Sequence, residues 1–171
     1  MLYIMEQALR FALTVALVGI AAHFLGEALP RRWFDASRFP YRAFAFERNG
    51  RFYEALGIRR WKGLLPDKSR FAPGAYKKSI RAGQQTSAHM ERLLQETCVA
   101  EMVHLILMLL SPIIYWINPT GLGAAIAIVY ALSHVPFIII QRYNRPTLVT
   151  LSKRLKEREE RIKHAHTDPV R

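Results

Sequence analysis

The chain has 171 residues, about half of them apolar, and carries 25 Lys and Arg against 13 Asp and Glu, a net charge of +12. A single cysteine, Cys98, excludes an intrachain disulfide framework. Residues 11–25, 105–117 and 122–141 contain no Lys, Arg, Asp or Glu. That segregation excludes an evenly patterned soluble domain and predicts an all-α integral membrane protein with three transmembrane helices plus short interfacial amphipathic helices.

The first apolar run, "FALTVALVGIAAHFLGEALP", lacks a positive n-region and a small-x-small cleavage site, so it reads as an uncleaved anchor spanning about residues 4–26. Glu6 and Arg10 are spaced to pair across one helical turn near its outer end. Residues 30–95 form an interfacial or cytoplasmic region. Between Arg31 and Phe71 it interleaves Trp33, Phe34, Phe39, Tyr41, Phe44, Phe46, Phe52, Tyr53 and Trp61 with arginines and lysines, and is cut into short pieces by Pro40, Gly50, Gly57 and Pro66. Such a mixture suits single-stranded nucleic acid, but beside three spans it is read as headgroup contact, with no nucleic-acid partner.

Ser87 is the expected N-cap of a second helix that meets no proline or glycine before Pro112, with its span at about 98–117. The third span, about 122–142, follows after a tight turn at 118–121. Pro112 and Pro136 are expected to kink the two arms. A tail helix over 148–166 carries Leu148, Leu151, Leu155 and Ile162 on a narrow apolar stripe and reads as solvated. The whole chain, 1–171, is taken as one membrane domain. Of the 25 basic residues, 15 lie between 31 and 92, nine lie from 142 onward, and the 118–121 turn has none. The positive-inside rule then puts the N-terminus outside and the C-terminus in the cytoplasm.

Chemistry concentrates in "QETCVAEMVH", residues 95–104. On a helix, Glu96, Ala100, His104, Thr97 and Glu101 fall within an arc of roughly 140°. Measured inward from Asn118, His104 lies roughly 21 Å deep, and His134, measured from Gly121, roughly 20 Å. Two histidines from adjacent helices are therefore expected in one layer, just inside the inner edge of the hydrocarbon core. Glu101 and His104 form one Glu-x-x-His pair where a di-iron bundle needs two, so no metal site is expected. The third span ends at "QRYNRP", residues 141–146, where arginines and a tyrosine suit the membrane boundary.

Three blocks carry a resemblance: "FAFERNGRFYEALGIRRWKGLLPD" at 44–67, "ETCVAEMVH" at 96–104, and "VPFIIIQRYNRPTL" at 135–148. In these the chain resembles the glycosyl-diaponeurosporenoate acyltransferases, small membrane enzymes that finish a carotenoid pigment. Departures are Thr147, where arginine is expected, and His134, where asparagine is expected.

The resemblance implies an enzyme of the bacterial cell (inner) membrane that moves a fatty acyl group, with acyl-CoA as co-substrate and no bound cofactor, to a hydroxyl of a sugar-bearing membrane lipid. It points to Glu96, Glu101, His104, Trp61, Lys62, Arg142, Tyr143, Asn144, Arg145 and Pro146. Together with the depth argument, His104 is the expected general base, oriented by Glu101 or Glu96. Arg59, Arg60, Lys62, Arg142 and Arg145 are expected to meet donor phosphates. Trp61, Tyr143, Asn144 and His134 are expected to contact substrate. Alternatives are a small lipid methyltransferase and a non-enzymatic membrane interaction subunit; homo-oligomerisation is left open.

Overall fold

A computed structural model of the chain describes residues 2–65 and 86–167, with side chains over 5–65 and 86–165. Part of the expected interfacial region, residues 66–85, lies outside the described residues, as does the end of the chain beyond 167. Among these described residues six α-helices follow in order: α1 (Leu2–Ala28), α2 (Arg51–Ala55), α3 (Ile58–Trp61), α4 (Ser87–Leu110), α5 (Pro112–Ile117) and α6 (Gly121–Thr167). Short 3-10 turns at Arg31–Trp33, Ala45–Gly50 and Lys62–Leu64 lie between α1 and residue 65, and there is no strand among the described residues. Among the described residues, three stretches are long and apolar enough to cross a membrane: Met5–Ala28, Ser87–Ile117 and Gly121–Ala165. This is the expected all-α membrane class. The span expected at 122–142 and the tail helix expected at 148–166 lie on one uninterrupted helix, α6.

The residues form two compact units. The first comprises 1–33 and 99–141: α1, the later part of α4, α5 and the earlier part of α6. α1 packs against α5. Its Leu9, Leu13, Leu17, Ile20 and Phe24 are exposed, as suits a helix bathed in lipid tails. Glu6 and Arg10 pair at 2.6 Å, as their spacing predicts. The far end of α1 is closed by buried Arg31, whose Nη1 donates to the carbonyls of Gly26, Glu27 and Leu29; these would otherwise be orphaned at a helix C-terminus.

Pro112 and Pro136, the two prolines expected to kink these helices, act differently. At Ser111 α4 gives way to α5, and Pro112 sits in the first turn of α5, where its missing N–H is not needed. At Pro136, α6 continues unbroken.

The hairpin turn is held by local chemistry. Thr120 Oγ1 accepts the backbone N–H of Gly123 and so caps α6. A Cβ at Gly123 would stand 1.9 Å from the Asn118 carbonyl oxygen, a contact with backbone that no side-chain adjustment relieves.

The second unit comprises 34–98 and 142–171. Arg48, Asn49 and Gly50 all have positive φ (47°, 55° and 95°), so three consecutive left-handed residues reverse the chain before α2. A Cβ on Gly50 would touch the Tyr143 ring at 3.4 Å. Met90 and Leu93 of α4 pack with Leu155 of α6, with Leu148 and Leu151 against them. The stripe expected to face solvent is thus covered as far as Leu155, whereas Ile162 is exposed.

Polar links reinforce that contact. Ser87 N and Oγ both donate to Glu159, and Lys156 meets Glu91 at 3.0 Å. The α4 cap is Thr86, whose Oγ1 accepts from His89 N. Ser87, expected in that role, gives its hydroxyl to Glu159 instead.

Gly123→Ala forces the hairpin turn open and should destabilise the protein by about 1–3 kcal/mol. Cys98, fully buried and the sole cysteine, makes a thiol-reactive dye a native reporter of unfolding in detergent. A melting curve unchanged by the substitution would show that the turn imposes no such constraint.

Candidate active site

Within the first unit, α4 and α6 bring His104 and His134 together at 3.2 Å between their Nδ1 atoms, fulfilling the expectation of a shared layer. Two facing ring nitrogens at that distance require one to donate and the other to accept. Each ring is held in place. His104 stacks on Phe137 with centroids 4.6 Å apart and planes 11° from parallel, and Tyr130 meets His134 edge-on at 4.7 Å.

His134 is 8% exposed, and its Nε2 has no hydrogen-bond partner. His104 is half-buried. Glu101, one helical turn before His104, is 2% exposed. This unit therefore gathers two imidazoles and a carboxylate in a predominantly apolar setting.

The second unit holds the other expected residues. Glu96 pairs with Arg92 at 3.0 Å. Arg142 is buried. Its Nε donates to Glu47 Oε1 at 2.5 Å, its Nη1 to the Pro40 carbonyl and its Nη2 to the Arg42 carbonyl, while the guanidinium lies 4.4 Å from the Phe44 ring centroid. Arg145, 3% exposed, donates to the Tyr41 carbonyl, to Thr97 Oγ1 and to the Thr97 carbonyl. Both guanidiniums of the "RYNR" string are thus directed at protein acceptors.

A separate cluster joins Lys62, Arg59 and Tyr143. The Lys62 ammonium is 4.9 Å from the Tyr143 ring centroid, the Tyr143 hydroxyl donates to Glu54 at 3.4 Å, and Arg59 meets the same Glu54 oxygen at 2.5 Å. Hydrogen bonding to Tyr143 and then to Glu54 raises the pKa of exposed Arg59. Trp61 donates its indole N–H to the Leu56 carbonyl. Arg60 is exposed, and Asn144 and Pro146 are half-buried on α6.

The sequence reading missed Glu47. Its Oε1 accepts from Arg142 and from the Tyr53 hydroxyl, and its Oε2 from the Phe44 backbone N–H, so a fully enclosed carboxylate is satisfied on both oxygens. The signal was present: Glu47 is the only acid between Asp35 and Glu54, in a stretch holding Arg38, Arg42, Arg48 and Arg51. Among the described residues no group of three His, Cys, Asp or Glu could hold a metal ion.

Burial by itself would raise the Glu47 carboxyl. Bonds from Arg142, Tyr53 and the Phe44 N–H outweigh that and hold it below the usual glutamate value of 4.5. Tyr53 is pushed up by burial and by its bond to the Glu47 carboxylate.

A depressed folded-state pKa means that the stabilisation is complete above the unfolded value and is lost as pH falls through the folded one. Glu47→Gln should therefore be about 3–5 kcal/mol less stable than the native protein at neutral pH. The native protein should lose thermal stability more steeply below pH 4.5 than the variant does. Melting curves that run parallel for the two proteins between pH 3 and 7 would remove the ion pair from that account.

A family model described as glycosyl-4,4'-diaponeurosporenoate acyltransferase (CrtO) matches residues 30–154. The glycosyl-4,4'-diaponeurosporenoate acyltransferase of Staphylococcus aureus strain N315 is 34% identical over 139 residues, covering 80% of this chain and 82% of that protein. The enzyme of strain USA300 matches at the same identity and coverage. No solved structure matches the chain. With most of its length inside the family model and a third of its residues shared across four-fifths of these relatives, the chain belongs to the glycosyl-4,4'-diaponeurosporenoate acyltransferase family.

Proposed function

We propose that the protein transfers a fatty acyl group from acyl-CoA to a hydroxyl of a sugar-bearing membrane lipid, of the carotenoid-glycoside kind, at the cytoplasmic face, with its N-terminus outside and C-terminus inside. The orientation rests on the clustering of basic residues in 31–92 and from 142 onward. The reaction class rests on the family. The observation that carries the chemistry is the His104–His134 contact, a pair of imidazoles held by aromatic rings within the apolar stretches of α4 and α6.

In this reading His104 is the general base. Its Nδ1–H donates to His134 Nδ1, the tautomer in which Nε2 is the basic nitrogen. As the sugar oxygen attacks the thioester carbonyl, His104 Nε2 accepts the hydroxyl proton. The tetrahedral intermediate then collapses, the C–S bond breaks, and the imidazolium returns that proton to the departing sulfur. The products are an ester and free coenzyme A.

His134 acts through His104. It fixes the tautomer and shares the charge of the imidazolium through the Nδ1 hydrogen bond, the task otherwise expected of a carboxylate. Glu101 adds negative charge one turn away on α4; Glu96, held by Arg92, is the weaker candidate for that role. Tyr143 and Asn144 are proposed as hydrogen-bond donors to the acyl donor, with Arg59, Arg60 and Lys62 as its exposed cationic surroundings. Trp61 is proposed to contact the same substrate.

Incubation of the purified protein with radiolabelled acyl-CoA and total membrane lipids should give a labelled sugar-bearing lipid in which the acyl group is lost by mild alkali. Label confined to other lipid classes, or none, would contradict the reading. His104→Ala should reduce transfer by at least about a hundredfold while leaving Cys98 protected from thiol dye. His134→Ala should lower kcat and displace the pH–rate profile. His134→Asn, whose amide also donates and accepts, should recover much of the rate. Full activity in His104→Ala would eliminate it as the base.

A further inference from the structure

The second unit contains a cavity of ≈ 430 Å³ that the assignments above leave unused. Arg42, Arg142, Arg145 and Lys153 reach its lining, and Glu47 is the one acid among the lining residues. The Glu47 charge is neutralised where it stands, because both of its oxygens are taken by Arg142, Tyr53 and the Phe44 N–H. The lining therefore carries a surplus of three positive charges.

The cavity is also rigidly built. Arg142 and Arg145 together bind three consecutive carbonyls, those of Pro40, Tyr41 and Arg42, and so fasten this loop to α6. That anchoring fixes the backbone from which the exposed Arg42 side chain projects, while exposed Lys153 rises from α6 itself. Asn49, another lining residue, lies within the left-handed reversal at 48–50, a conformation that costs energy in residues other than glycine and recurs where a backbone is held for binding. A volume of ≈ 430 Å³ lies within the ~300–1,000 Å³ usual for small-ligand sites.

We propose that this cavity binds the polyphosphate end of a nucleotide-bearing acyl thioester of the coenzyme A type, with Arg42 and Lys153 as its phosphate ligands and the two buried arginines as its charged wall. The assignment deepens the acyl-transfer reading and rests on it. Charge selects the occupant: three surplus cations match a diphosphate plus a phosphate monoester, together roughly four negative charges. A single phosphodiester, as on a phospholipid headgroup or on the prosthetic arm of a carrier protein, would leave most of that charge unmatched. Arg42 and Lys153 are exposed, so replacing them leaves the fold intact.

Coenzyme A titrated calorimetrically into the full-length protein in detergent at low salt tests the assignment. One site is expected, weakened about tenfold by Arg42→Ala or Lys153→Ala and about a hundredfold by both, with Lys153→Arg close to native. Dephospho-coenzyme A should bind more weakly than coenzyme A, and phosphopantetheine more weakly still. Native-strength binding by the double variant overturns the assignment, as does equal affinity for phosphopantetheine or for phosphatidylglycerol vesicles.

Binding needs no turnover, so the two readings fail separately. Lys153-dependent binding by a protein that transfers no acyl group would refute the acyl-transfer reading alone. Transfer with the KM for acyl-CoA unmoved in both single variants would remove the cavity alone.

Discussion

The ion pair between Glu47 and Arg142 is the interaction on which the second unit depends. Glu47 is 1% exposed and its partner is buried, 95 positions away in sequence. Removing two such charges from water is expensive, and their mutual attraction offsets the cost only if every remaining donor and acceptor is also satisfied. Here they are satisfied with unusual completeness. Tyr53 and the Phe44 N–H complete the carboxylate, while the Pro40 and Arg42 carbonyls and the Phe44 ring surround the guanidinium. An aromatic, arginine-rich stretch with little helix-forming pattern is thereby tied to α6 through electrostatics and hydrogen bonds, where a soluble domain would use an apolar core.

The first unit meets the opposite problem. Its helices present apolar surface to lipid, and ionisable groups among them are costly unless they find one another. His104 and His134 do so through an Nδ1–Nδ1 contact, with aromatic rings packed against each imidazole. Such restraint is what a general base requires, since a nitrogen misplaced by an ångström loses much of its effect. Family membership favours an acyltransferase over the methyltransferase and interaction-subunit alternatives, and the imidazole pair is the proposed means of moving the proton.

Much of this was legible in the sequence. Charge-free runs mark the three spans because the hydrocarbon core admits few other patterns. His104 and His134 could be placed in one layer because helical rise is constant and the connecting turn is too short to shift the register. Local pairs such as Glu6 with Arg10 follow from spacing alone.

What could not be read was the choice of partner among chemically equivalent acceptors. A guanidinium at the end of an apolar helix is satisfied equally well by headgroup phosphate, by substrate phosphate, by a carboxylate or by backbone carbonyls. Arg142 and Arg145 turn to Glu47 and to the 40–42 carbonyls, a choice set by tertiary packing. Thr86 and Ser87 are both competent caps, and the nearness of Glu159 on α6 decides that Ser87 serves a different partner. The cavity beside the ion pair has no sequence signature because its walls come from segments about a hundred positions apart.

The dependence of the second unit on its ion pair is tested most directly by a double-mutant cycle of Glu47→Gln and Arg142→Gln, read as the equilibrium stability of the full-length protein in detergent. Each single variant should be strongly destabilised, and the double variant should lie well short of their sum, because a buried charge left alone is worse than losing both. That predicts a coupling of about 1.5–3 kcal/mol. Strict additivity of the two losses would contradict the account, since it would mean that the two side chains contribute independently of each other.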